Sequence, residues 1–481
     1  MSGSDEAFAA LQARLRDDPP EPLATFGRSR PRTVIGLPSI DFGTGFAQRN
    51  DVPALEARWL YLLLALARPH ARVAMVTAEP VSDDVVDYLL GVAGAPPGAR
   101  ERLGRFTVGD RSRRPLARKL LDRPDVVAAV RAFAGPRAFI HPFAALSEAD
   151  RDAALALDTP VLALDHRFER QATKSGGRAL LAAAGVPIPR GAGDLRTVVD
   201  LVAAVAALRA ARDPDAIVLK LDRGVTGSGN AVVGLDHLPP AGDLCEASAI
   251  EARVRRVAGH LLGALADGAV VEERIDGPGL SSPSVQVRIP PGGGSPELIA
   301  THDQVLGGPF GQSYAGCHEP AGAEWRGALA RHGLAVAREL GAAGAAGRVG
   351  IDFVATRRAG GRRDLRAVEV NPREGATTHT HGTLALLEHG ATHVRASDSV
   401  VLGTLRGTRW QDALAVLEES GLAYDARRGA GVVLYMLDAM SRTGRLSVVA
   451  LGGSRTEADA LFTAAVERLR NGVQQSVFVA H

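Results

Sequence analysis

Two carboxylates and an amide, Asp352, Glu369 and Asn371, have the types and spacing of a magnesium site. Glu369 and Asn371 are two residues apart in an apolar segment, and residues of a β-strand at that spacing point to the same face. If the strand around Asp352 pairs with this segment, the set offers two carboxylates and an amide oxygen. Hard oxygen ligands of this kind suit Mg²⁺ held together with substrate phosphates. An ordinary solvated sheet face is the alternative for this group alone.

A glycine-rich segment follows Lys220, which ends a predicted strand. Strand, glycine-rich turn and strand predict a hairpin, whereas a P-loop needs a strand, a loop and a helix. Glycines let backbone N–H groups approach phosphate oxygens closely, and the lysine supplies a positive charge. The candidate phosphate-binding residues of the turn are Gly224, Thr226, Gly227, Ser228 and Gly229. Alone, such a hairpin is more often a flexible turn; with the acidic set it predicts a nucleotide pocket.

Two further segments carry groups that a nucleotide pocket uses. Glu272, Glu273 and Ile275 end an apolar strand, where backbone groups can contact adenine and a carboxylate can contact ribose or an amino group. Lys174 stands at the start of a predicted helix and is a second candidate for a phosphate-binding cation. Taken alone, this strand end would be interpreted as an ordinary one with solvated acids. For Lys174, an ordinary solvated lysine at a helix start is as good an interpretation as phosphate binding.

The elements that must position these residues follow from the periodicity of apolar positions. Between about 31 and 170, short apolar strands, Val161–Leu164 among them, alternate with helical segments. This pattern predicts an open, mostly parallel α/β sheet. Later segments predict hairpins and helices, and the tail from Trp410 predicts a helix, a hairpin and a last helix. Residues 1–30 combine a weak helix with a proline-rich stretch, which predicts an arm or linker. The predicted fold class is multidomain α/β and α+β.

Composition argues against several classes of protein. Hydrophobic residues make up 46% of the 481 residues and charged residues 23%, which is typical of globular domains. The formal net charge of +2 argues against a general nucleic-acid or membrane surface. Cys245 and Cys317 offer neither a disulfide framework nor a paired metal spacing. Since no apolar run is long enough to cross a membrane and no signal peptide is recognisable, the expected location is the cytoplasm.

Taken in order, these residues resemble the ATP-grasp superfamily. The matching features are a first lysine, a strand lysine before a glycine-rich loop, an acidic hinge strand and the Asp…Glu-x-Asn metal set. The resemblance covers roughly 170–405 and implies ATP and Mg²⁺ as cofactors, with Mn²⁺ as a substitute metal. One departure is Gly277-Pro278-Gly279, which stands where many relatives carry an acidic residue after the hinge. The group that contacts ribose is therefore left open.

A narrower resemblance extends over nearly the whole chain after residue 30. The chain is similar to peptide ligases with a pre-ATP-grasp domain, of the type of the pheganomycin peptide ligase. The motifs that carry the likeness are Leu37-Pro38-Ser39, Glu56 with Arg58, Thr173-Lys174-Ser175, Thr301-His302-Asp303-Gln304 and Glu369-Val370-Asn371-Pro372-Arg373. The domains implied are an arm at 1–30, an α/β pre-ATP-grasp domain at 31–170, a two-lobed ATP-grasp domain at 171–405 with its lid at about 190–275, and a small α+β domain at 406–481.

The resemblance implies an ATP-dependent carboxylate–amine ligase that forms an amide or peptide bond through an acylphosphate and releases ADP and phosphate. Arg288 and Arg373 are candidates for holding the carboxylate and the developing negative charge, because arginine's planar fork matches carboxylate and phosphate geometry. Lys174 and Lys220 would neutralise charge. The expected partners are small-molecule carboxylate and amine or peptide substrates of specialised-metabolite biosynthesis. Neither nucleic acid nor membrane is expected, and a homodimer is the assembly considered.

Two other functions remain open at this point. An ATP-grasp kinase would phosphorylate a hydroxyl and stop there, and a nucleotide-binding sensor would show no turnover. His379 and His381 form a His-x-His pair that suggests zinc if they lie on a strand, but the sequence offers no convincing third ligand. A polar loop on the substrate side, next to Arg373, is the preferred interpretation.

Overall fold

The chain is described by a computed structural model in which three β-sheets carry the candidate residues. The described residues are 3–41, 50–144, 146–224, 229–307, 313–357, 363–387 and 390–478, without the side chains of 472–478. Within these residues, none of the helices combines the length and the hydropathy needed to span a membrane.

The N-terminal sheet has four parallel strands in the order β3-β2-β1-β4. They are β1 (Arg32–Leu37), β2 (Ala71–Thr77), β3 (Leu103–Thr107) and β4 (Ala138–Pro142). All six residues of β1 are buried, because helices cover both faces of a parallel sheet and leave its central strands without a solvated side. This confirms the predicted open parallel α/β sheet. The predicted strand at Val161–Leu164 is wrong: only an isolated bridge joins Val161 to Ile140.

Helices and 3-10 helices cover the two faces of this sheet. They are Val52–Glu56, Ala57–Ala67, Asp83–Val92, Ala99–Arg102, Leu116–Leu121, Pro124–Ala134 and Glu148–Leu157. The 3-10 helix His166–Ala172 follows them and packs against the helix Lys174–Ala183 and the strand Arg363–Asn371. The helix Gly3–Asp17, assigned from sequence to an arm or linker, also packs onto the domain of the N-terminal sheet. Its Phe8 and Leu11 are buried, and the Gln12 side chain exchanges hydrogen bonds with the backbone of Val161 at 2.7 and 2.9 Å. An apolar stripe and these two hydrogen bonds hold the segment onto the domain.

A second sheet has four antiparallel strands in the order β5-β8-β6-β7. They are β5 (Gly191–Leu195), β6 (Ala216–Leu221), β7 (Asn230–Gly234) and β8 (Ala269–Glu273). The helices of this region are Lys174–Ala183, Val198–Arg212, Glu246–Ala258 and the 3-10 helix Gly259–Asp267. The sheet matches the expected hairpin of β6 and β7 and carries Lys220 and Glu272 on adjacent strands.

The third sheet has eight antiparallel strands in the order β13-β12-β9-β10-β11-β14-β16-β15. They are β9 (Ser282–Ile289), β10 (Glu297–Gly307), β11 (Ser313–Glu319), β12 (Gly347–Arg357), β13 (Arg363–Asn371), β14 (His393–Val401), β15 (Gly431–Tyr435) and β16 (Arg445–Gly452). The associated helices and 3-10 helices are Ala323–Ala342, Thr378–Leu386, Gly403–Leu405, Trp410–Glu419, Leu437–Ala439, Met440–Thr443 and Arg455–Phe478.

The tail forms the predicted helix, hairpin and last helix, but its strands do not make a sheet of their own. β16 pairs with β14 along most of its length, so β15 and β16 extend the large sheet. Backbone groups from 406–481 therefore continue the same hydrogen-bonded ladder as the acidic strands. The domain bounds given above remain a prediction.

Candidate active site

The acid cluster, defined here as Asp352, Glu369 and Asn371, lies where β12 and β13 pair. Asp352 and Glu369 are register partners in this antiparallel pair. The Asn371 Nδ2 donates a hydrogen bond to Asp352 Oδ2 at 2.9 Å, and Gln304 Nε2 donates to Asp352 Oδ1 at 2.6 Å. The pairing that the sequence left conditional is therefore formed, and the two carboxylates and the amide converge.

The acid cluster has the chemistry of a site for a divalent cation. Burial and the neighbouring negative charge of Glu369 raise the pKa of Asp352 to about 7. Burial also acts to raise the pKa of Glu369, but Lys174 and Arg373 bring it below its ordinary value. Two crowded carboxylates and an amide oxygen form a hard donor set that Mg²⁺ would neutralise. Among the described residues, no group of three or more His, Cys, Asp and Glu side chains offers another metal site.

Both predicted lysines lie beside this cluster and form ion pairs with acids. Lys174 begins the helix Lys174–Ala183 and pairs with Glu369. Lys220 Nζ, buried on β6, donates to Glu272 Oε2 at 2.6 Å and to the carbonyl of Val368 at 3.3 Å. Both ammonium groups are thus held next to residues of β13, where they can face phosphate oxygens.

The glycine turn is described only at its base. Gly224 and Gly229 face each other so closely that a Cβ added to Gly224 would lie 2.9 Å from the Cα of Gly229. The Leu221 N–H donates to the Gly229 carbonyl at 2.9 Å and closes the stem. The predicted phosphate contacts Thr226, Gly227 and Ser228 lie outside the described residues.

The acidic strand end points partly into the protein. Glu272 is 4% exposed and accepts hydrogen bonds from Lys220 and, at 2.8 Å, from Arg178 Nη1. Glu273 Oε1 accepts from the backbone N–H of Arg190 at 3.0 Å, and Ile275 follows β8 half-buried. The Glu272 carboxylate is therefore turned toward the lysine, where it can position Lys220.

Arg373 lies in a cavity of about 260 Å³ beside the acid cluster, which we call the arginine cavity. Its Nη2 donates to Asn371 Oδ1 at 2.7 Å, and its guanidinium lies 5.4 Å from the centre of the Phe143 ring. Arg58, which forms a buried ion pair with Asp398, and Arg445 also line the cavity. Sequence reasoning cited Arg58 only for family likeness and missed Asp398 and Arg445, because these groups come together from distant segments.

Arg288 is not brought to the acid cluster. It lies further along β9, where Nη1 pairs with Glu297 at 3.1 Å and Nη2 donates to the Pro20 carbonyl at 2.7 Å. It lines a different cavity, which does not contain the acid cluster. Its predicted contact with the activated carboxylate therefore has no support from this arrangement.

The two histidines of the His-x-His segment lie on the helix Thr378–Leu386. Both the strand considered for them and the preferred polar loop are therefore wrong. His379 Nε2 hydrogen-bonds to Ser447 Oγ at 2.8 Å, whereas His381 Nδ1 bonds to Glu319 Oε1 at 2.7 Å. On a helix the two side chains diverge, so the two imidazoles are not placed to bind one zinc ion together.

Comparisons of the sequence with known proteins identify its relatives. Residues 412–469 match the family model described as the PGM1 C-terminal domain. The L-propargylglycine–L-glutamate ligase of Streptantibioticus cattleyicolor is 31% identical over 455 residues, which cover 86% of this chain and 90% of that protein.

Solved structures share the fold at low sequence identity. A biotin carboxylase from Campylobacter jejuni matches with a TM-score of 0.57 and 14% identity over 91% of both chains. An N5-carboxyaminoimidazole ribonucleotide synthetase matches with a TM-score of 0.53 and 14% identity over 92% of this chain and 98% of the other. The chain therefore shares the ATP-grasp fold of these enzymes and belongs to the family of the peptide ligase above, as a carboxylate–amine ligase.

Proposed function

We propose that the chain joins an amino-acid-like carboxylic acid to the amine of an amino acid or peptide, with activation of the acid at the acid cluster. The observation that carries this is the convergence on one wall of two carboxylates, a lysine and an arginine: Asp352, Glu369, Lys174 and Arg373. A pure hydrolase of ATP has no need of the arginine cavity beside that wall.

Each side chain has a role that its position supports. Asp352, Glu369 and Asn371 hold Mg²⁺, since they offer the hard oxygen donors. Lys174 and Lys220 bind phosphate oxygens. Lysine and arginine side chains in such sites act by positioning and by stabilising charge.

Arg373 holds the carboxylate of the acid next to the phosphates, aided by the positive charge of Arg58 and Arg445. The bound magnesium–ATP supplies a γ-phosphoryl group, which a carboxylate oxygen takes up with release of ADP. The neutral amine nitrogen then forms the amide bond to the acyl carbon, and phosphate leaves with one oxygen of the original carboxylate and takes up the proton that the nitrogen loses. Walls that exclude water protect the activated acid from hydrolysis.

The class of substrates follows from the relative and from the charge of the cavity. The relative's name gives two amino acids as its substrates, and the arginine cavity provides cations for a carboxylate. We infer a setting in specialised-metabolite biosynthesis in the cytoplasm, where ATP and Mg²⁺ are available. A homodimer remains a prediction.

The test is a matrix of amino acids and short peptides, each offered as acid and as amine, with ATP and Mg²⁺. Release of phosphate that needs both partners, with an amide detected by mass spectrometry, supports the proposal. A stable phosphorylated product would instead identify a kinase, and absence of ADP with every pair would identify a nucleotide sensor. The Asp352→Asn protein serves as the matched control, because it keeps the shape of the side chain.

A further inference from the structure

The arginine cavity extends across the large sheet from the acid cluster to the C-terminal strands. It is lined by Asp352 on β12, Gln304 on β10, Tyr314 on β11, Asp398 on β14 and Arg445 on β16. These strands follow one another in the order β12-β9-β10-β11-β14-β16, and neighbouring strands of a sheet lie about 4.8 Å apart. The cavity is therefore elongated, which suits two substrates placed end to end.

The three guanidinium groups that line this cavity have different partners. Arg373 donates to Asn371 of the acid cluster and is the group placed to hold the acid substrate. Arg58 forms a buried ion pair with Asp398, which is 6% exposed, so the positive charge of Arg58 is compensated within the protein. Arg445 is the third, and it lies at the end of the cavity that is remote from the acid cluster.

Arg445 is held in place by neutral oxygen atoms. Its Nε donates to the carbonyl of Asp398 and its Nη2 donates to Ser399 Oγ, both at 2.8 Å. Within the described part of the chain it forms no ion pair. Burial lowers the pKa of Arg445, although the negative charge of Asp398 acts to raise it. Removing a cation from water without a paired anion is costly, so an anionic group of a substrate would be favoured at this end.

No layer of protein separates Arg445 from the place where the acid is activated, because both ends line one cavity. Leu306 on β10 and Tyr314 on β11 line the stretch between the ends. A molecule anchored at Arg445 by a carboxylate can therefore extend its amine toward the acyl group held at Arg373. An amine that lacks a carboxylate would leave Arg445 without an anion.

We propose that Arg445 binds the carboxylate of the amine substrate and thereby selects amino acids, or peptides with a free C-terminal carboxylate, over simple amines. Arg445 is then a specificity-determining residue that the C-terminal part of the chain supplies to the site. The pairing of β16 with β14 places it there, which gives the extension of the large sheet a function. This inference rests on the proposed function, because it concerns the second substrate of that reaction.

The experiment uses the full chain and amines that differ only at the C-terminus, as carboxylate or carboxamide, in single amino acids and in dipeptides. Wild type should show a kcat/KM at least tenfold higher for the carboxylate. Arg445→Gln should lower kcat/KM at least tenfold for the carboxylate and at most twofold for the carboxamide, with the KM for ATP within twofold. Arg409→Gln, whose side chain is 76% exposed on the helix side of the tail, is the matched control and should change none of these values.

The comparison of the two amines separates binding from a purely structural role. If Arg445 only supported the fold, both amines would lose activity equally, and that result would overturn the proposal. So would an effect on the KM of the acid as large as that on the carboxylate amine, because the anion at Arg445 would then belong to the acid.

A second variant keeps the test decisive if Arg445→Gln does not fold. Arg445→Lys keeps the positive charge but loses the planar fork that matches a carboxylate. The preference for the carboxylate should fall at least threefold, and an undiminished preference would contradict the assignment. If wild type forms no amide with any pair, the proposed function itself fails. Amide formation at equal rates with carboxylate and carboxamide refutes the role of Arg445 alone.

Discussion

The ion pair between Glu272 and Lys220 offers a sharp test of how the nucleotide-binding lysine is held. Glu272 is 4% exposed and accepts at 2.6 Å from Lys220 and at 2.8 Å from Arg178. Glu272→Gln keeps the shape of the side chain but offers only one acceptor oxygen to two donors. One cation is therefore left facing an N–H group inside the protein.

The magnitude follows from the burial. Breaking a buried pair by removing one charge costs about 3–5 kcal/mol, and we expect the lower value because Gln retains one hydrogen bond. About 3 kcal/mol corresponds to a fall of roughly 6–12 °C in the melting temperature of a unit of about 200 residues. Because Lys220 loses its anchor, the KM for ATP should rise about tenfold, equivalent to about 1.4 kcal/mol.

The assays are differential scanning fluorimetry and initial rates of ADP release at varied ATP. Glu251→Gln is the matched control, since its pair with Arg255 lies on the surface of the same lobe with both side chains more than two fifths exposed. Such pairs contribute at most about 1 kcal/mol. An unchanged melting temperature together with an ATP KM within twofold of wild type would refute the role given to Glu272.

Three further predictions concern other parts of the site and fold. Asp352→Asn should abolish ADP release while the protein melts no lower than wild type, and chelation of Mg²⁺ should have the same effect on wild-type turnover. Arg58→Met leaves Asp398 buried without its ion-pair partner and should destabilise the protein by about 3–5 kcal/mol in urea titrations; a loss under 1 kcal/mol would contradict this. Burial, opposed by hydrogen bonds from Ser147, raises the pKa of Asp150 to about 7. As pH rises from about 4 to 7, the unfolded chain loses this proton before the folded one, so Asp150 lowers the stability of the fold as pH rises. Asp150→Asn should therefore reduce the fall of the melting temperature with pH over this range. An equal fall in the variant and in wild type would refute this.

The acid cluster could be predicted because its spacing is local. Glu369 and Asn371 are two residues apart on one strand, and the strand of Asp352 is its neighbour in an antiparallel pair. Because side chains alternate between the two faces of a strand, the spacing predicts that Glu369 and Asn371 share one face. The lysine positions also followed from strand and helix ends, which sequence patterns mark well.

The substrate side could not be predicted, because it depends on long-range packing. Arg58 and Asp398 meet across 340 positions of the chain, and no spacing rule connects them. Arg288 shares a face of β9 with Gln286, which lines the arginine cavity. Only the three-dimensional structure shows that Arg288 lines a different cavity.

The secondary structure of the His-x-His segment was predicted wrongly for a different reason. Threonine is β-branched and favours strands over helices, but here tertiary packing overrides that local preference. Gly382 lies against Tyr61 so closely that a Cβ would be 2.2 Å from its ring, and this contact is made by one face of a helix. Local preference gave no sign of that contact.

Oxygen transfer from the acid to phosphate tests directly whether ATP activates a carboxylate at the acid cluster. The acid substrate is labelled with ¹⁸O in its carboxylate and converted with its amine partner, ATP and Mg²⁺, and the released phosphate is analysed by mass spectrometry. We expect one ¹⁸O atom in phosphate for each amide formed, with ADP as the other product. Unlabelled phosphate, or AMP with pyrophosphate, would contradict it.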